Sequence, residues 1–269
     1  GVFQQPAIQQ GRMGYAAERR RFVRCSRERR RELVAITKDS TTMHPSYGAV
    51  IFDMDGLIFD TETIGRWAWA AALERYGFQM TDELYLEFVG RDMREREAIL
   101  RRRFGEDFPF AAVRDYRVAI GDAKEMSDGL PPKPGVKRLL AALTDAQVPI
   151  ALATGTARAR AVRRLQQVGL ADYFPAIVTS EDVPCGKPAP DIFLEASRRI
   201  AVAPERCIVL EDSSAGVEAA VSAGMCAIMV PDMEQPGSGT TKPYRVLDSL
   251  EHSLELLGEL LGRPLTGSG

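Results

Sequence analysis

A chain of 269 residues has room for one large α/β domain carrying a smaller inserted one. With 45% hydrophobic and 27% charged residues it can bury a proper core. A formal net charge of −2 gives no global signal for a nucleic acid or an anionic membrane as partner, and no apolar run approaches the roughly 18–20 residues that span a bilayer.

Residues 1–45 differ from the rest. Arg19-Arg20-Arg21 and Arg29-Arg30-Arg31 lie in an Arg-dense stretch without strong apolar periodicity. It reads as a flexible basic extension, with a nucleic-acid arm or a transit peptide as alternatives. Glu18, Glu28, Glu32 and Asp39 interleave the arginines, which speaks against the transit reading, and Met43 is a candidate native start. From Gly48 the pattern becomes regular. Ala49-Val50-Ile51-Phe52 is a continuous apolar run that stops at Asp53, as a strand buried on both faces does. Helices are expected over Thr63 to Tyr76, Asp82 to Val89, Met93 to Phe104 and Phe110 to Met126, with no strand among them. Pro131-Pro132-Lys133-Pro134 breaks that pattern, and Val136 to Leu143 reads as a core helix.

From there strands and helices alternate. The strands are Val148 to Ala153, Ala176 to Val178, Cys207 to Leu210 and Ala227 to Val230. The helices are Ala157 to Val168, closed by Gly169, then Pro190 to Ile200 and Ala215 to Ala223. Repeated βα units with buried strands imply a doubly wound parallel sheet, so the fold class is α/β. The expected division is a core of residues 46–62 and 131–262 with a helical cap over 63–130, a device for closing over a small substrate. An inert helical decoration is the alternative. The four cysteines show no CxxC spacing, and Cys207 and Cys226 sit in apolar runs as small hydrophobes do; a reducing, cytoplasmic setting is expected.

Parallel sheets bind ligands at the carboxyl ends of their strands, and four such ends carry chemistry here. Asp53-Met54-Asp55-Gly56 brings two carboxylates into one crevice, which is costly unless a cation sits between them or one holds a proton. Thr154-Gly155-Thr156 offers a hydroxyl and a Gly-exposed backbone N–H to an anion, or is simply a helix N-cap. Lys187, on the Pro-framed loop Gly186-Lys187-Pro188, can neutralise phosphate oxygens and a carboxylate together, or is a solvated loop lysine. Glu211-Asp212-Ser213-Ser214 places a second acidic pair at a strand end. Asp53 and Asp212, with the carbonyl of Asp55, suit a Mg²⁺ shell of hard oxygens, whereas Asp212 as an N-cap is the competing reading. Together these residues form a phosphoryl-transfer kit.

From Ala49 to about Asp232 the chain resembles the haloacid dehalogenase superfamily. Phe52-Asp53-Met54-Asp55-Gly56-Leu57 resembles its first motif, Thr154 its second, Lys187 its third and Glu211-Asp212 its fourth. The helical insertion after the first motif resembles the cap of β-phosphoglucomutase-like members. Gly186 through Phe193 and Gly216 through Asp232 look close to pseudouridine-5′-phosphatase-like ones. The resemblance implies a Rossmann-like core and a Mg²⁺-dependent phosphatase acting on a small phosphorylated metabolite, a sugar phosphate or a nucleoside monophosphate. It implies Asp53 as nucleophile, Asp55 as acid and base, and Mg²⁺, Lys187, Thr154 and the backbone near Met54 and Gly155 around the phosphate. Asp53, Asp55 and Asp212 would hold the metal, with Glu211 orienting a metal-bound water. Arg91 or Arg94 is a candidate for touching the substrate. Mutases of this branch carry a histidine in the cap linker; near Gly65 none occurs, which favours hydrolysis over mutase chemistry. A phosphonatase would need a cap lysine, and Lys124 and Lys133 stand in no such motif. A non-catalytic phosphate binder is a further alternative. No nucleic-acid or membrane partner is expected, and a monomer is the default.

Overall fold

The computed structural model describes residues 47–88, 93–232 and 241–266; the expected extension over residues 1–45, Val89 and Arg91 lie outside them. The strands are β1 (Ala49–Phe52), β2 (Ile150–Thr154), β3 (Ala176–Thr179), β4 (Cys207–Glu211), β5 (Cys226–Met229) and β6 (Arg245–Val246). All pair in parallel, in the order β3-β2-β1-β4-β5-β6. The chain starts in the middle and winds outward both ways, so the crevice at the carboxyl ends of β1, β2 and β4 is the switch point where such sheets take ligands.

The helices are α1 (Thr61–Arg75), α2 (Asp82–Phe88), α3 (Met93–Phe104), α4 (Phe110–Asp128), α5 (Val136–Asp145), α6 (Arg158–Gln167), α7 (Asp191–Arg199), α8 (Ser214–Ser222) and α9 (Ser253–Leu261). Strand side chains alternate between faces, and each face meets its own helices. Val50, Phe52, Leu152, Ile208 and Leu210 pack with Leu139 and Leu143 of α5, Leu165 of α6 and Leu257 of α9. Ala49, Ile51, Ala151, Ala153 and Val209 pack with Phe193 of α7 and Val217 of α8. Every residue of β1 is fully buried, which is why its sequence is apolar without alternation; each Val, Ile or Phe hidden this way contributes about 1.5–3 kcal/mol.

Between β1 and β2 the helices α1 to α4 build a third hydrophobic cluster of their own around Trp69, Leu73, Phe88, Leu100, Phe110 and Val113. It is an all-helical cap inserted into the α/β core. Helix α1 starts at Thr61, earlier than its apolar periodicity indicates, because Asp60 accepts the Thr63 N–H at 3.0 Å and caps it. Strand β2 starts two residues later and ends one residue later than the apolar run that announces it. Val148 N donates to Leu143 O and closes the end of α5, whereas polar Thr154 joins the ladder opposite Thr179. Neither β6 nor α9 was among the expected elements: β6 is two exposed residues with no pattern to read, whereas α9 is a nine-residue helix whose Leu257 and Leu261 are buried in the core. Cys207 and Cys226 are buried free thiols. Among the described residues no helix is long and apolar enough to cross a membrane.

Candidate active site

Asp53 follows β1 directly, and its N–H still donates to Leu210 O at 3.0 Å, so the sheet fixes its backbone. The Lys187 Nζ donates to Asp53 Oδ1 and, at 2.6 Å, to Glu211 Oε1. Lys187 lies on a loop tightened by the Ala189 N–H on Gly186 O, and its ammonium stands 5.1 Å from the Phe193 ring centroid. With a side chain only 14% exposed, it is not a solvated loop lysine. Glu211 is buried with both oxygens engaged, the second accepting from Ser213 N at 2.6 Å and Ser213 Oγ at 2.9 Å. The cap of α8 is Ser213, whose hydroxyl accepts from Gly216 N; Asp212 does no capping and faces the site.

Two glycines make this crowding sterically feasible. A Cβ on Gly56 would lie 2.1 Å from Asp212 Oδ2, and one on Gly216 would lie 1.8 Å from Glu211 Oε1. Gly56 also has φ +81°, a conformation other residues rarely adopt.

One carboxylate oxygen each of Asp53, Glu211 and Asp212 lies within 4.8 Å of the others. Burial pushes the Asp53 carboxyl up to about 7, Lys187 opposing and Glu211 and Asp55 reinforcing the rise. Burial likewise holds Asp212 well above the usual carboxylate range, helped by Glu211 and Asp53. Burial acts against the Lys187 charge, but Asp53 and Glu211 outweigh it and keep that ammonium protonated. Three acids against one lysine leave negative charge without a counterion. The donor set, all hard carboxylate oxygens, fits a divalent cation such as Mg²⁺.

The Asp55 carboxylate points elsewhere. Its Oδ2 accepts from Thr154 Oγ1 at 3.2 Å and Thr156 Oγ1 at 2.7 Å, and Arg164 Nη1 donates to its Oδ1. Asp55 is therefore outside the three-carboxylate group, and its main-chain carbonyl is the only part left to serve as a ligand. Thr154 Oγ1 also accepts the Thr156 N–H, while the N-cap position of α6 is Ala157, which offers no side-chain cap, so Thr154 is no N-cap. Gly155 is exposed, with open space where a Cβ would be.

Arg164 joins the two halves of the molecule. Its Nε and Nη2 donate to Glu125 of α4 at 2.7 and 2.8 Å, in the fork geometry guanidinium offers a carboxylate. One helical step away, Arg160 pairs with Asp122. These two rungs, spaced i,i+4 on α6 and i,i+3 on α4, were present in the sequence as a matched pattern, but an Arg-rich helix ordinarily reads as a solvated face. Arg164 and Glu125 were missed for that reason, whereas Thr156 was read only as part of the Thr154-Gly155-Thr156 cradle and not as a partner of Asp55.

A cavity of about 220 Å³ opens between core and cap. The core side contributes Asp55, Thr156, Arg160 and Arg164; the cap side includes Trp69, Tyr85, Arg96 and Arg117. Gly65 also lines it, at the place where a mutase-type histidine was sought. Arg94 is exposed and not part of this lining, whereas Arg96 is. Two residues on a helix stand roughly 200° apart, so only one of them faces inward. Lys124 pairs with Asp128 and stacks on Trp67, and Lys133 holds Gly56 O and Asp232, so neither lines the cavity.

The chain belongs to the haloacid dehalogenase-like hydrolase family, which matches residues 47–224. Within it the chain falls in the β-phosphoglucomutase-like branch. It is 35% identical over 189 residues to the fructose-1-phosphate phosphatase YqaB of Escherichia coli, covering 70% of this chain and 98% of that one. It is 34% identical over 223 residues to the β-phosphoglucomutase of Bacillus subtilis, covering 78% and 94%. Among solved structures, a HAD family hydrolase from Deinococcus radiodurans with bound phosphate and sodium superposes with a TM-score of 0.68, at 27% identity and covering 80% and 96%.

Proposed function

We propose that this enzyme is a Mg²⁺-dependent phosphatase that hydrolyses a small phosphorylated metabolite through an aspartyl-phosphate on Asp53. The observation that carries the reading is the pairing of a buried, lysine-held carboxylate with a second carboxylate at the mouth of the cap cavity. Asp53 Oδ attacks phosphorus while the ester P–O bond breaks and Asp55 gives its proton to the leaving oxygen. Asp55 then takes a proton from a water that attacks the same phosphorus; the P–Oδ bond breaks, freeing phosphate and Asp53. Lys187, Thr154 and the backbone N–H groups near Met54 and Gly155 neutralise the phosphoryl oxygens. Asp53, Asp212 and the Asp55 carbonyl would hold Mg²⁺, with Glu211 orienting its water, and the ion supplies positive charge to the phosphoryl group. The fructose-1-phosphate phosphatase relative supports a sugar phosphate as substrate class.

Phosphate release from sugar phosphates, nucleoside monophosphates and p-nitrophenyl phosphate, with Mg²⁺ and with EDTA, tests this. Wild type should turn over only with the metal, and Asp53→Asn should lose roughly 10³-fold or more. Metal-independent release, or release that survives in the variant, would overturn the mechanism. The β-phosphoglucomutase relative keeps a mutase as the second reading. Isomerisation of a sugar monophosphate primed by a bisphosphate, without net phosphate release, would establish that one instead.

A further inference from the structure

Two different parts of the molecule hold the two oxygens of Asp55. Thr154 Oγ1 and Thr156 Oγ1 donate to Oδ2. Thr154 ends β2 and Thr156 follows it by two residues, so the core supplies these bonds by itself. Oδ1 accepts from Nη1 of Arg164, which reaches it from α6 through a long side chain whose rotamer freedom is costly to freeze. Glu125, on the cap helix α4, freezes it. One edge of the guanidinium, Nε and Nη2, donates to the two Glu125 oxygens at 2.7 and 2.8 Å. That fork sets the plane of the group and leaves Nη1, at its other end, directed at Asp55. Arg164 and Glu125 are both buried, so water neither competes for the fork nor screens it. The second rung, Arg160 on Asp122, keeps α4 and α6 in register.

A carboxylate held at one oxygen can still turn about its Cβ–Cγ bond, which is a soft torsion. Held at both, it cannot. We infer that Arg164 is a positioning residue for Asp55 and that Glu125 sets Arg164, so that the carboxylate takes one orientation only with α4 docked on α6. A tie serving only to join core and cap would be complete with the Arg164–Glu125 fork. The third bond, from the far end of the same guanidinium to Asp55, is the one that points to the chemistry. Asp55 lines the core–cap cavity, where a leaving oxygen would arrive, and a displacement of about 1 Å at such a group costs on the order of a hundredfold in rate. The assignment rests on the phosphatase reading, in which Asp55 is the acid and base, and it adds two residues that act through it.

The test uses two leaving groups. The alkoxide of a sugar phosphate needs a proton from Asp55 as it departs, whereas p-nitrophenolate leaves unaided. Arg164→Ala and Glu125→Gln should each lower kcat/KM about 10- to 100-fold for the sugar phosphate turned over best. For p-nitrophenyl phosphate the loss should stay below about threefold. Asp55→Asn should show the same selectivity, and adding Arg164→Ala to it should cost nothing further. Equal losses on both substrates, or losses that multiply in the combined variant, overturn the positioning role while the phosphatase stands. Should Arg164→Ala fail to fold, Arg164→Met together with Glu125→Leu removes the buried pair without stranding either charge, and must give the same selective loss. If wild type releases phosphate from no compound, the phosphatase reading falls, and a crystal structure of that paired variant decides the positioning by itself. The Asp55 carboxylate should turn there, carrying Oδ1 about 1 Å or more from its place beside Arg164, and a carboxylate that has not moved overturns the role.

Discussion

The strand-end site and the cap cavity are both lined with charges, yet they are built by opposite means. At the strand ends Asp53, Lys187 and Glu211 are fixed by backbone ladders and short loops, and they are packed so tightly that two glycines are required. In the cavity the charges are long arginine side chains on helix faces, held by rings and by partners on another helix. A site made from backbone ends tolerates no added atom. One made from flexible side chains has room to change its ligand.

A single methyl group tests the contrast most directly. Gly216→Ala should destabilise the protein by about 3 kcal/mol, on the order of 10 °C in Tm, because its Cβ would displace the buried Glu211. Gly65→Ala in the cavity wall meets only Arg117 Nη2 at 3.6 Å. Inside helix α1 it should leave stability unchanged or raise it by up to about 1 kcal/mol. Thermal melts of the two variants side by side would break the comparison if both behaved alike. The next effect concerns the link between the regions. A double-mutant cycle of Arg164→Ala and Glu125→Gln, read by urea denaturation, should give a coupling of about 2 kcal/mol. Additive losses would mean that core and cap are energetically separate.

The smallest effect tests the scaffold behind Lys187. Asp182 accepts from Thr179 N and Oγ1 at 2.7 and 2.8 Å and from Arg199 Nη2 at 2.8 Å. Burial alone would raise its carboxyl, but Arg199, Thr179 and Arg158 hold it well below the usual range. A depressed carboxylate stabilises the fold above its unfolded pKa near 4, and that contribution is lost as pH falls through the lower folded value. Asp182→Asn should therefore cost about 1 kcal/mol at pH 6 to 7, and the difference from wild type should shrink below about pH 4. A penalty constant from pH 7 to pH 2.5 would show that the carboxylate charge is irrelevant there.

The same contrast explains what was legible in the sequence. The two acids at the ends of β1 and β4 follow uninterrupted apolar runs, so their position and their environment are announced together: Asp53 after Ala49–Phe52, Glu211 after Cys207–Leu210. The ends of β2, β3 and β4 lie one residue beyond their apolar runs, because polar Thr154, Thr179 and Glu211 are ladder residues, and β5 stops one residue short of its run, at Met229. Arg164 and Glu125 were opaque because the periodicity of α6 tells which side is buried, not which helix lies opposite. Arg96 was passed over for Arg94 by the same route, since the choice between them depends on a helix rotation that a charge-rich sequence does not encode.

Met54 is fully buried between two acids whose carboxylates are held by different partners, Asp53 by Lys187 and Asp55 by Arg164. The Asp53 side chain is 6% exposed and the Asp55 side chain 34%. In the proposed mechanism the first carboxylate is thereby kept dry, stripped of the hydration that would blunt it as an attacking group. The other keeps an edge wet, where it would exchange protons with bulk water between one turnover and the next.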